Sequence, residues 1–550
     1  MGSGPFDTMK RFALMTILIL IYLSSSLGKD ILLVKSSVAS PSHCMVLSTI
    51  TGGLVSRGHN VTLVADDVKT NTGFPNGTFS QILFFKTSIQ SEGLSNLIEK
   101  MLENMAFSTL GLLDTMRQFT ELVTKFQNSC QDLWKNRQLL ETLKISKFDL
   151  ALVFPFSPCD VLVAHYLHVP FVVVVPSVRL PQFNEGCVGM PYPSSYVPFD
   201  IFNTLTDEMT FFERLWNFAS PFIWNFSQAV FNSYFYDIQV EYDIHPDKSI
   251  KHLYSNASLW LSHVSFGSDF ARPYTPNWIP IGGLVSKPRK PLPQDLEEFV
   301  QGSGDDGVII FTLVSTNKFT ITSFCFSLKG SAIKGLQDKK IAETFARVFS
   351  KLPQRVLWRH NGQPPSSLGN NTKILKWLPQ NDLLGHPKTR LLIYHAGSNG
   401  VLESINHGIP MVNIPLFADQ FTHAAKIQKK GMGIMLDKTN ISEQSLMAVI
   451  QEVLHNPRYK ERVQHFSNIH HDSPVTPLER AVYWIEHVMK FGDKHLRPRS
   501  ADMSTIELYM IDVTVFLIVV LSVGLYIVYL ILHKCITFLC DSKSPKSKPD

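Results

Sequence analysis

The chain has 550 residues, of which 45% are hydrophobic and 18% charged; this composition provides for large buried cores and excludes an intrinsically disordered protein. Lysine and arginine number 51 against 46 acidic residues, and no basic stripe is interleaved with aromatic residues, so nothing points to nucleic acid as a partner. Seven cysteines are too few for a disulfide scaffold, and their odd number leaves at least one of them unpaired.

The first 28 residues have the pattern of a secretory signal peptide. Lys10 and Arg11 supply positive charge, residues 12–27 form an apolar run, and the small residues at 26 and 28 fit a cleavage site. Residues 1–28 are therefore predicted to be a leader and signal peptide, and the chain after them is predicted to be translocated.

A second apolar run lies near the carboxyl end. Residues 513–532 carry no charge and, at a rise of about 1.5 Å per residue, can cross a hydrocarbon core of ~30 Å. The tail, residues 533–550, is rich in lysine, which the positive-inside rule places in the cytosol. The two ends together predict a single-pass type I membrane protein whose main part is lumenal or extracellular.

Two kinds of short motif agree with this topology. Six Asn-x-Ser/Thr sequons lie between the ends, at Asn60, Asn76, Asn225, Asn256, Asn370 and Asn440. The last five residues, Lys-Ser-Lys-Pro-Asp, resemble the dilysine signal that returns type I proteins to the endoplasmic reticulum, with a merely polar tail as the alternative. We therefore expect a glycoprotein of the endoplasmic reticulum membrane with its main domains in the lumen.

Between the ends, short apolar runs alternate with longer amphipathic segments. Such runs predict parallel strands that helices cover on both faces, and hence a doubly wound α/β fold. The predicted strands are 31–35, 61–64, 150–153, 171–175, 259–261, 308–313, 356–358, 391–393 and 411–414.

A passage rich in proline and lysine divides the lumenal part in two. It predicts a linker at 286–306 between a first domain at 29–285 and a second at 307–475, each large enough for one Rossmann-like unit. Residues 476–512 are predicted to be helices that return before the span. The apolar spacing within 477–490 favours packing onto the lumenal domains, and a helix lying on the bilayer stays open.

The strongest chemical motif lies in the second half. His395 follows a predicted buried strand, Gly397 and Gly400 form a turn, and Asn399 begins a helix, which together suit an anion at a helix N-terminus. Glu403 lies four residues after Asn399 on the same helix face and suits a sugar hydroxyl. An ordinary strand-to-helix turn is the alternative for this segment taken alone.

Two flanking segments strengthen a nucleotide-sugar interpretation. Trp377 offers a flat aromatic ring on which a base can stack, and Gln380 follows with an amide for the edges of that base. Downstream, Asp419 and Gln420 come after the end of a predicted strand and suit sugar hydroxyls.

With these residues in place, the sequence resembles the family-1 UDP-glycosyltransferases. Their signature runs W-x-P-Q-x-x-L-L-x-H, H-G-G-x-N-S/G-x-x-E, G-V/I-P-M, D-Q, and about 44 residues match it in order and spacing. The match is closest to the animal UDP-glucuronosyltransferase and ceramide galactosyltransferase types. The sequence departs from the pattern at Ala396, where the family usually has glycine, and at 421–423, where Phe-Thr-His replaces P-D/E-N.

The resemblance implies a GT-B fold of two Rossmann-like domains, the first for the acceptor and the second for the UDP-sugar. It implies no metal and no cofactor, because the UDP-sugar is a co-substrate, and it leaves homo- or hetero-oligomers open. The implied donor-binding residues are Trp377 and Gln380 for uridine, His395, Gly397, Asn399 and Gly400 for the pyrophosphate, Glu403 for the ribose, Asp419 and Gln420 for the sugar, Ser331 for the phosphates, and Arg272 near the donor.

The first domain is expected to supply a catalytic base. His43 lies fourteen residues before Arg57, a spacing that matches the family's catalytic S-H followed by R/H-G-H, and a histidine suits proton removal near neutral pH. The position of the family's orienting acid is Phe154. Asp160, six residues later, is the nearest candidate to replace that acid, and a helix-start acid favoured by the dipole is the alternative.

The sequence also contains an anomalous insert. In the family, the strand predicted at 308–313 runs directly into Gly-Ser, but here residues 314–329 intervene before Gly330 and Ser331. Removing them restores an uninterrupted Phe-Thr-Leu-Gly-Ser. The first two residues of the segment can be encoded by GTAAGT, a typical start of an intron, and its last residues by a pyrimidine tract ending in AG, a typical end. We hypothesise a translated, unspliced intron, with a genuine inserted loop as the alternative.

Two functions follow from the sequence. The first is inverting transfer of a hexosyl or glucuronosyl group from a UDP-sugar to a lipophilic hydroxyl or carboxyl acceptor in the lumen of the endoplasmic reticulum. The second is a catalytically weak relative that binds a UDP-sugar or a lipophile as a carrier or partner subunit. Phe154 favours the second, and the completeness of the uridine motif favours the first.

Overall fold

A computed structural model describes the protein at residues 28–34, 41–67, 74–88, 97, 112–155, 157–175, 187–201, 203–313, 339–360, 362–416 and 418–541. In chain order the strands are β1 (Asp30–Val34), β2 (Asn60–Asp66), β3 (Gln81–Phe85), β4 (Leu150–Val153), β5 (Phe171–Val175), β6 (Leu259–Ser262), β7 (Trp278–Pro280), β8 (Val308–Thr312), β9 (Arg355–Arg359), β10 (Thr372–Leu375), β11 (Thr389–Tyr394), β12 (Met411–Asn413) and β13 (Gly433–Met435).

The α-helices of the described residues are α1 (Pro41–Ser56), α2 (Leu112–Lys135), α3 (Arg137–Ser146), α4 (Pro158–Tyr166), α5 (Phe211–Ser233), α6 (Tyr236–Glu241), α7 (Ile250–Ser255), α8 (Gln294–Gln301), α9 (Lys339–Phe349), α10 (Gln380–Leu384), α11 (Ser398–Asn406), α12 (Gln420–Lys429), α13 (Glu443–His455), α14 (Pro457–His471), α15 (Pro477–Phe491), α16 (Thr505–Leu508) and α17 (Ile511–Asp541). Short 3-10 turns lie at Lys438–Asn440 and Arg499–Asp502.

The first sheet has seven parallel strands in the order β3-β2-β1-β4-β5-β6-β7. Its central strands β4 and β5 are buried along their whole length, as the apolar runs that form them predict. Helices cover both faces and produce two separate hydrophobic cores, one on each side. A disulfide between Cys130 and Cys159 joins α2 to α4 over this sheet.

The second sheet has six parallel strands in the order β10-β9-β8-β11-β12-β13. It too is covered on both faces, which confirms the predicted doubly wound α/β class with two Rossmann-like sheets. In a parallel sheet, the carboxyl ends of all strands meet at one edge. The predicted site residues follow these ends.

The segment expected to link the two domains is only partly extended. Residues 294–301 within it form α8, whose Leu296 and Val300 lie four residues apart on one face and pack into the core of the second sheet. The helix therefore belongs structurally to the second domain, and the irregular part of the connection is shorter than the predicted 286–306.

After α14 the chain returns to the first sheet. Helix α15 contacts α1 and β6, and its buried residues Ala481, Val482, Ile485 and Val488 belong to the core on that side of the first sheet. Thr476 caps the helix and forms a capping box with Glu479, which explains where the helix begins. Of the two arrangements that the sequence left open, the structure shows packing onto the first domain.

The described residues from 499 to 541 belong to a separate compact unit. Its long helix α17 contains one stretch, Ile511–Leu539, that is apolar and long enough to cross a membrane, with a mean hydropathy of 2.9 over its most apolar window. The helix extends beyond the predicted span at 513–532, because Lys534 does not interrupt helical hydrogen bonding and a lysine side chain near a helix end can reach the interface.

Candidate active site

The turn between β11 and α11 is built from glycine for steric reasons. A Cβ atom at Gly397 would lie 2.7 Å from Nε2 of His395, and one at Gly400 would lie 2.5 Å from the ring of Tyr394. Both positions therefore require glycine. Gly397 is the N-cap residue of α11, and no side chain caps the helix there. An anion site requires helix N–H groups that no cap occupies, and the first turn of α11 meets this requirement.

His395 is buried beside this turn. Burial is the main cause that lowers its pKa to about 3, and the positive charge of Arg359 lowers the pKa further. The imidazole is therefore neutral near pH 7 and can offer an N–H donor to an anion. Arg359 was not among the residues predicted from the sequence, although it directly follows the predicted strand at 356–358 and is the last residue of β9, at the same sheet edge. Burial lowers its pKa to about 10, so it keeps its charge.

The predicted ribose and uridine residues contact each other. Nε2 of Gln380 donates a hydrogen bond to Oε2 of Glu403 at 2.6 Å, which joins the first turn of α10 to the face of α11. Burial raises the pKa of the Glu403 carboxyl to about 7, although the hydrogen bond from Gln380 opposes the shift. Trp377 lies half-buried just before α10, and its indole Nε1 is buried without a hydrogen-bond partner among the described residues.

The two residues predicted to bind the sugar begin α12. Asp419 is the N-cap residue of this helix and does not cap it with its side chain. Gln420 is buried, and its Oε1 accepts a hydrogen bond from the Leu416 N–H at 2.9 Å. His423, in the segment that departs from the family pattern, approaches the backbone oxygen of Ala396 to 3.0 Å through Nδ1. The departure therefore ties α12 to the turn after β11.

His43 lies in the first turn of α1, half-buried, and burial lowers its pKa to about 4. The neighbouring residue Ser42 accepts a hydrogen bond on its backbone oxygen from Nδ2 of Asn399 at 3.5 Å. The predicted base and the predicted phosphate-binding turn come from different sheets, and this contact brings them together in one cleft.

The position expected to carry the orienting acid is filled by an aromatic ring. Phe154 is fully buried, and its ring centroid lies 5.2 Å from that of His43. Asp160 is buried too, and its Oδ2 accepts a hydrogen bond from the Phe154 N–H at 3.3 Å. Burial raises the pKa of the Asp160 carboxyl well above its usual value. Asp160 thus caps the end of β4, and its proposed part in orienting His43 stays a prediction.

Arg272 lies in a buried ionic cluster. Its Nη1 is 3.6 Å from Oδ2 of Asp200, and its side chain is 2% exposed. Its guanidinium also lies over the ring of Tyr192. Arg272 is therefore buried in protein contacts, and its proximity to a donor sugar stays a prediction.

A cavity of about 700 Å³ opens in the first domain. Its wall is largely apolar and is formed by α2, α5, α7 and the segment after β4, at Phe126, Pro155, Pro158, Trp224, Phe231 and Tyr254. Pro155 directly follows Phe154, the residue against which His43 packs. A mainly apolar cavity of this size suits a small lipophilic molecule.

Ser331 and the insert 314–329 lie outside the described residues. Among the residues that are described, no group of three or more histidine, cysteine, aspartate or glutamate side chains could hold a metal ion.

Comparison with known proteins agrees with this geometry. Residues 31–547 match the family model described as "UDP-glucoronosyl and UDP-glucosyl transferase". The chain is 35% identical over 519 residues to UDP-glucuronosyltransferase 2B7 of Homo sapiens, with 93% of each chain covered. It is likewise 35% identical over 526 residues to UDP-glucuronosyltransferase 2B33 of Macaca mulatta, which covers 93% of this chain and 94% of the relative.

Solved structures share the two-sheet architecture. A UDP-glucosyltransferase from Polygonum tinctorium aligns with a TM-score of 0.55 at 16% identity, over 84% of this chain and 99% of its own. The calicheamicin glycosyltransferase CalG4 aligns with a TM-score of 0.54 at 16% identity, over the same shares of the two chains. These similarities show the GT-B fold.

Proposed function

Since the chain belongs to the UDP-glucuronosyl and UDP-glucosyl transferase family and is a UDP-glycosyltransferase, we propose that it transfers a hexosyl or glucuronosyl group to a lipophilic hydroxyl or carboxyl acceptor with inversion. The observation that carries the proposal is the approach of the two half-sites, because Asn399 of the phosphate turn contacts the residue beside His43. A base and a nucleotide site held in one cleft are what in-line displacement requires.

In this mechanism the donor is bound by the second domain. Trp377 stacks on the uracil ring, Gln380 and Glu403 bind the uridine, and the N–H groups of α11 with neutral His395 hold the pyrophosphate. The nearby positive charge of Arg359 and the helix dipole then stabilise the negative charge that accumulates as the UDP oxygen leaves the sugar. Asp419 and Gln420 bind the sugar hydroxyls and orient its anomeric carbon.

The acceptor oxygen attacks the anomeric carbon from the side opposite the leaving UDP. His43 removes the acceptor proton as the new bond forms, so no covalent enzyme intermediate arises. A base is most effective when its pKa lies near the working pH, and burial holds the pKa of His43 at about 4. The proposed reaction is therefore slower than one whose base has a pKa near the working pH.

The acceptor is proposed to be lipophilic because of the cavity beside β4. Its apolar wall would favour a small apolar body, and Lys248 and Lys251 contribute polar groups. Helix α5, which forms part of the wall, exposes large apolar side chains on its outer face, a pattern typical of contact with lipid or another protein. These outward residues are Phe212, Leu215, Trp216, Phe222, Ile223 and Phe226.

We further propose the endoplasmic reticulum membrane as the location, with the two sheets in the lumen. The candidate span in α17 and the dilysine-like tail support this location. The Cys130–Cys159 disulfide is expected of an oxidising compartment. Five of the six sequon asparagines are exposed and accessible to glycosylation: Asn60, Asn76, Asn256, Asn370 and Asn440.

The experiment is a donor and acceptor panel with microsomes that contain the full chain. Release of UDP from UDP-glucuronate, UDP-glucose, UDP-galactose or UDP-N-acetylglucosamine, dependent on a lipophilic alcohol, phenol or acid, supports transfer. A His43→Ala variant is the matched control. Protease added to intact microsomes should remove the tail after 541 and spare the lumenal domains. Digestion of both would contradict the topology.

A second candidate function is a weak relative that binds a UDP-sugar or a lipophile without efficient transfer. The contact of Phe154 with His43 specifically favours it, because the base lacks the family's carboxylate at that position. Tight UDP binding without UDP release from any donor in the panel would select this second function.

A further inference from the structure

Four buried charged side chains form a cluster between the two domains. Nζ of Lys426 lies 2.7 Å from Oδ1 of Asp200 and 2.8 Å from Oδ1 of Asp269. Arg272 approaches the other oxygen of Asp200, at 3.6 Å. All four side chains are at most 7% exposed. Two of these side chains are positive and two are negative, and Lys430, the residue that follows α12, also interacts electrostatically with Asp269.

Lys426 joins the cluster from across the domain boundary. Asp200, Asp269 and Arg272 belong to the chain that builds the first sheet, whereas Lys426 belongs to α12 of the second. A buried ion pair is weak evidence for stability, because desolvation offsets its attraction, but the same cost makes any displacement of the lysine unfavourable. The cluster is therefore suited to fixing one relative position of the two domains.

The same face of α12 makes two further contacts with the first domain. Oγ1 of Thr422 donates to the backbone oxygen of Asn203 at 3.2 Å, and Lys429 pairs with Glu208. Positions 422, 426 and 429 are spaced four and three residues apart and so share one helix face. Glu208 is largely exposed, so the outer pair is screened by solvent, and Lys426 provides the buried contact.

Helix α12 begins with the two residues proposed to bind the donor sugar. Lys426 lies fewer than two helical turns from Asp419 and Gln420, and such a short helical segment is rigid. Fixing Lys426 against the first domain therefore also fixes where these two residues lie relative to His43. We propose that Lys426, held between Asp200 and Asp269, is a positioning residue that sets the distance between the donor sugar and the catalytic base.

The expected effect, which rests on the proposed transfer function, is a loss of turnover without a loss of donor binding. The residues proposed to bind UDP all lie in the second domain. The affinity for UDP should therefore not depend on the bridge, the name used below for the two contacts of Lys426 with Asp200 and Asp269. A misplacement of about 1 Å can reduce a rate by roughly 10²-fold. Removing the bridge should accordingly lower kcat by about 10- to 100-fold, with the Kd of UDP changed by less than about threefold.

The variant must remove the bridge without leaving unpaired buried charge. Lys426→Met alone would leave Asp200 and Asp269 without the lysine that both of them contact. The double variant Lys426→Met/Asp269→Asn keeps the pair of Arg272 and Asp200, which lies within the first domain, and removes one positive and one negative charge together, so the net charge does not change. Asp269→Asn alone retains one bond of Lys426 and should show a smaller loss, which keeps the test decisive should the double variant not fold.

Three measurements separate positioning from a merely structural role. UDP binding by calorimetry counts folded donor sites, turnover is expressed per such site, and the thermal midpoint reports folding. We expect the double variant to bind UDP and to melt close to the wild type but to turn over slowly. Lys426→Arg, which keeps a cation, should recover most of the turnover. Lys429→Ala, on the same helix face but exposed, should stay within about twofold of wild type.

Wild-type turnover in the double variant, per UDP site, would overturn the proposal. Absence of transfer by the wild-type chain would instead refute the proposed function, and the bridge is then judged by hydrogen exchange. Peptides containing Asp200 and Asp269 should exchange faster in the double variant and at the wild-type rate in Lys429→Ala. Unchanged exchange in the double variant would also overturn the proposal.

Discussion

Replacing Phe154 by aspartate tests the proposed role of His43 most directly. Burial lowers the pKa of His43 from 6.5 to about 4, which makes its protonated form less stable by about 3 kcal/mol. That form must arise when the base removes the acceptor proton. The two rings are now 5.2 Å apart. A carboxylate at that distance would stabilise the protonated imidazole by about 3 kcal/mol at an effective dielectric constant of 20.

Phe154→Asp should therefore raise turnover, by up to roughly 200-fold if the full 3 kcal/mol acts in the transition state. This lies within the factor of about 10⁴ that the orienting carboxylate provides in the serine protease triad. The acidic limb of the kcat/KM profile should also move upward from about pH 4, because a neighbouring carboxylate stabilises the protonated imidazole.

Phe154→Asn is the matched control, since it loses the same ring and adds no charge. Truncating a buried phenylalanine costs about 3–5 kcal/mol of stability, so both variants are compared per folded UDP-binding site. Equal turnover in the two variants, with the acidic limb unmoved, would refute the idea that a carboxylate at position 154 assists His43 as the base.

The remaining predictions concern the base, the ribose contact and the insert. His43→Ala should abolish transfer while UDP affinity stays within a few-fold, as measured by calorimetry, because the two sites lie in different domains; unchanged turnover would remove His43 from the mechanism. Ribose hydroxyls favour ionised Glu403, so UDP affinity should rise as the pH increases through about 7, and Glu403→Gln should flatten that dependence. The pKa of Glu403 is raised on folding, so its contribution to stability is complete below pH 4.5 and is lost as the pH rises through about 7; Glu403→Gln should accordingly raise the melting temperature of the ligand-free protein at pH 8. Deleting residues 314–329 should tighten UDP binding, and a dominant transcript that retains this segment would exclude the intron hypothesis.

Of the strands that the structure describes, the apolar runs in the sequence predict the nine inner ones and miss the four edge ones. The missed strands are β3, β7, β10 and β13, which are the two edges of each sheet. An inner parallel strand is buried on both faces and needs an unbroken apolar run, whereas an edge strand is partly solvated. Strand β3 shows the consequence, since three of its five residues are exposed. An unbroken apolar run therefore identifies the inner strands of a doubly wound sheet but not its edge strands.

The donor residues could be predicted because backbone geometry constrains them locally. A turn that requires glycine at 397 and 400, followed by a helix with no side-chain cap, leaves a pattern within a few positions of the sequence. Lys426 and Asp200 lie 226 residues apart and meet only because two domains pack together. Neither residue carries a local signal of its partner, so the interdomain cluster could not be predicted from sequence spacing.

Burial shifts three titratable groups of the cleft toward their neutral forms. The pKa values of His43 and His395 are lowered to about 4 and about 3, and that of Glu403 is raised to about 7. In the absence of substrate, the cleft therefore carries little charge from these groups. UDP brings two or more negative charges, and both histidines are neutral. Stabilisation therefore has to come from the partial positive charge of the N–H groups of α11 and from the full positive charge of Arg359, neither of which is lost at any working pH. Binding should accordingly depend only weakly on pH once Glu403 is replaced by glutamine, whereas Arg359→Met should weaken UDP binding by about 1.5–3 kcal/mol, the contribution typical of a hydrogen bond to a charged group. Isothermal calorimetry between pH 6 and pH 8 measures both effects. UDP affinity that Arg359→Met leaves unchanged would show that the helix N-terminus holds the pyrophosphate alone.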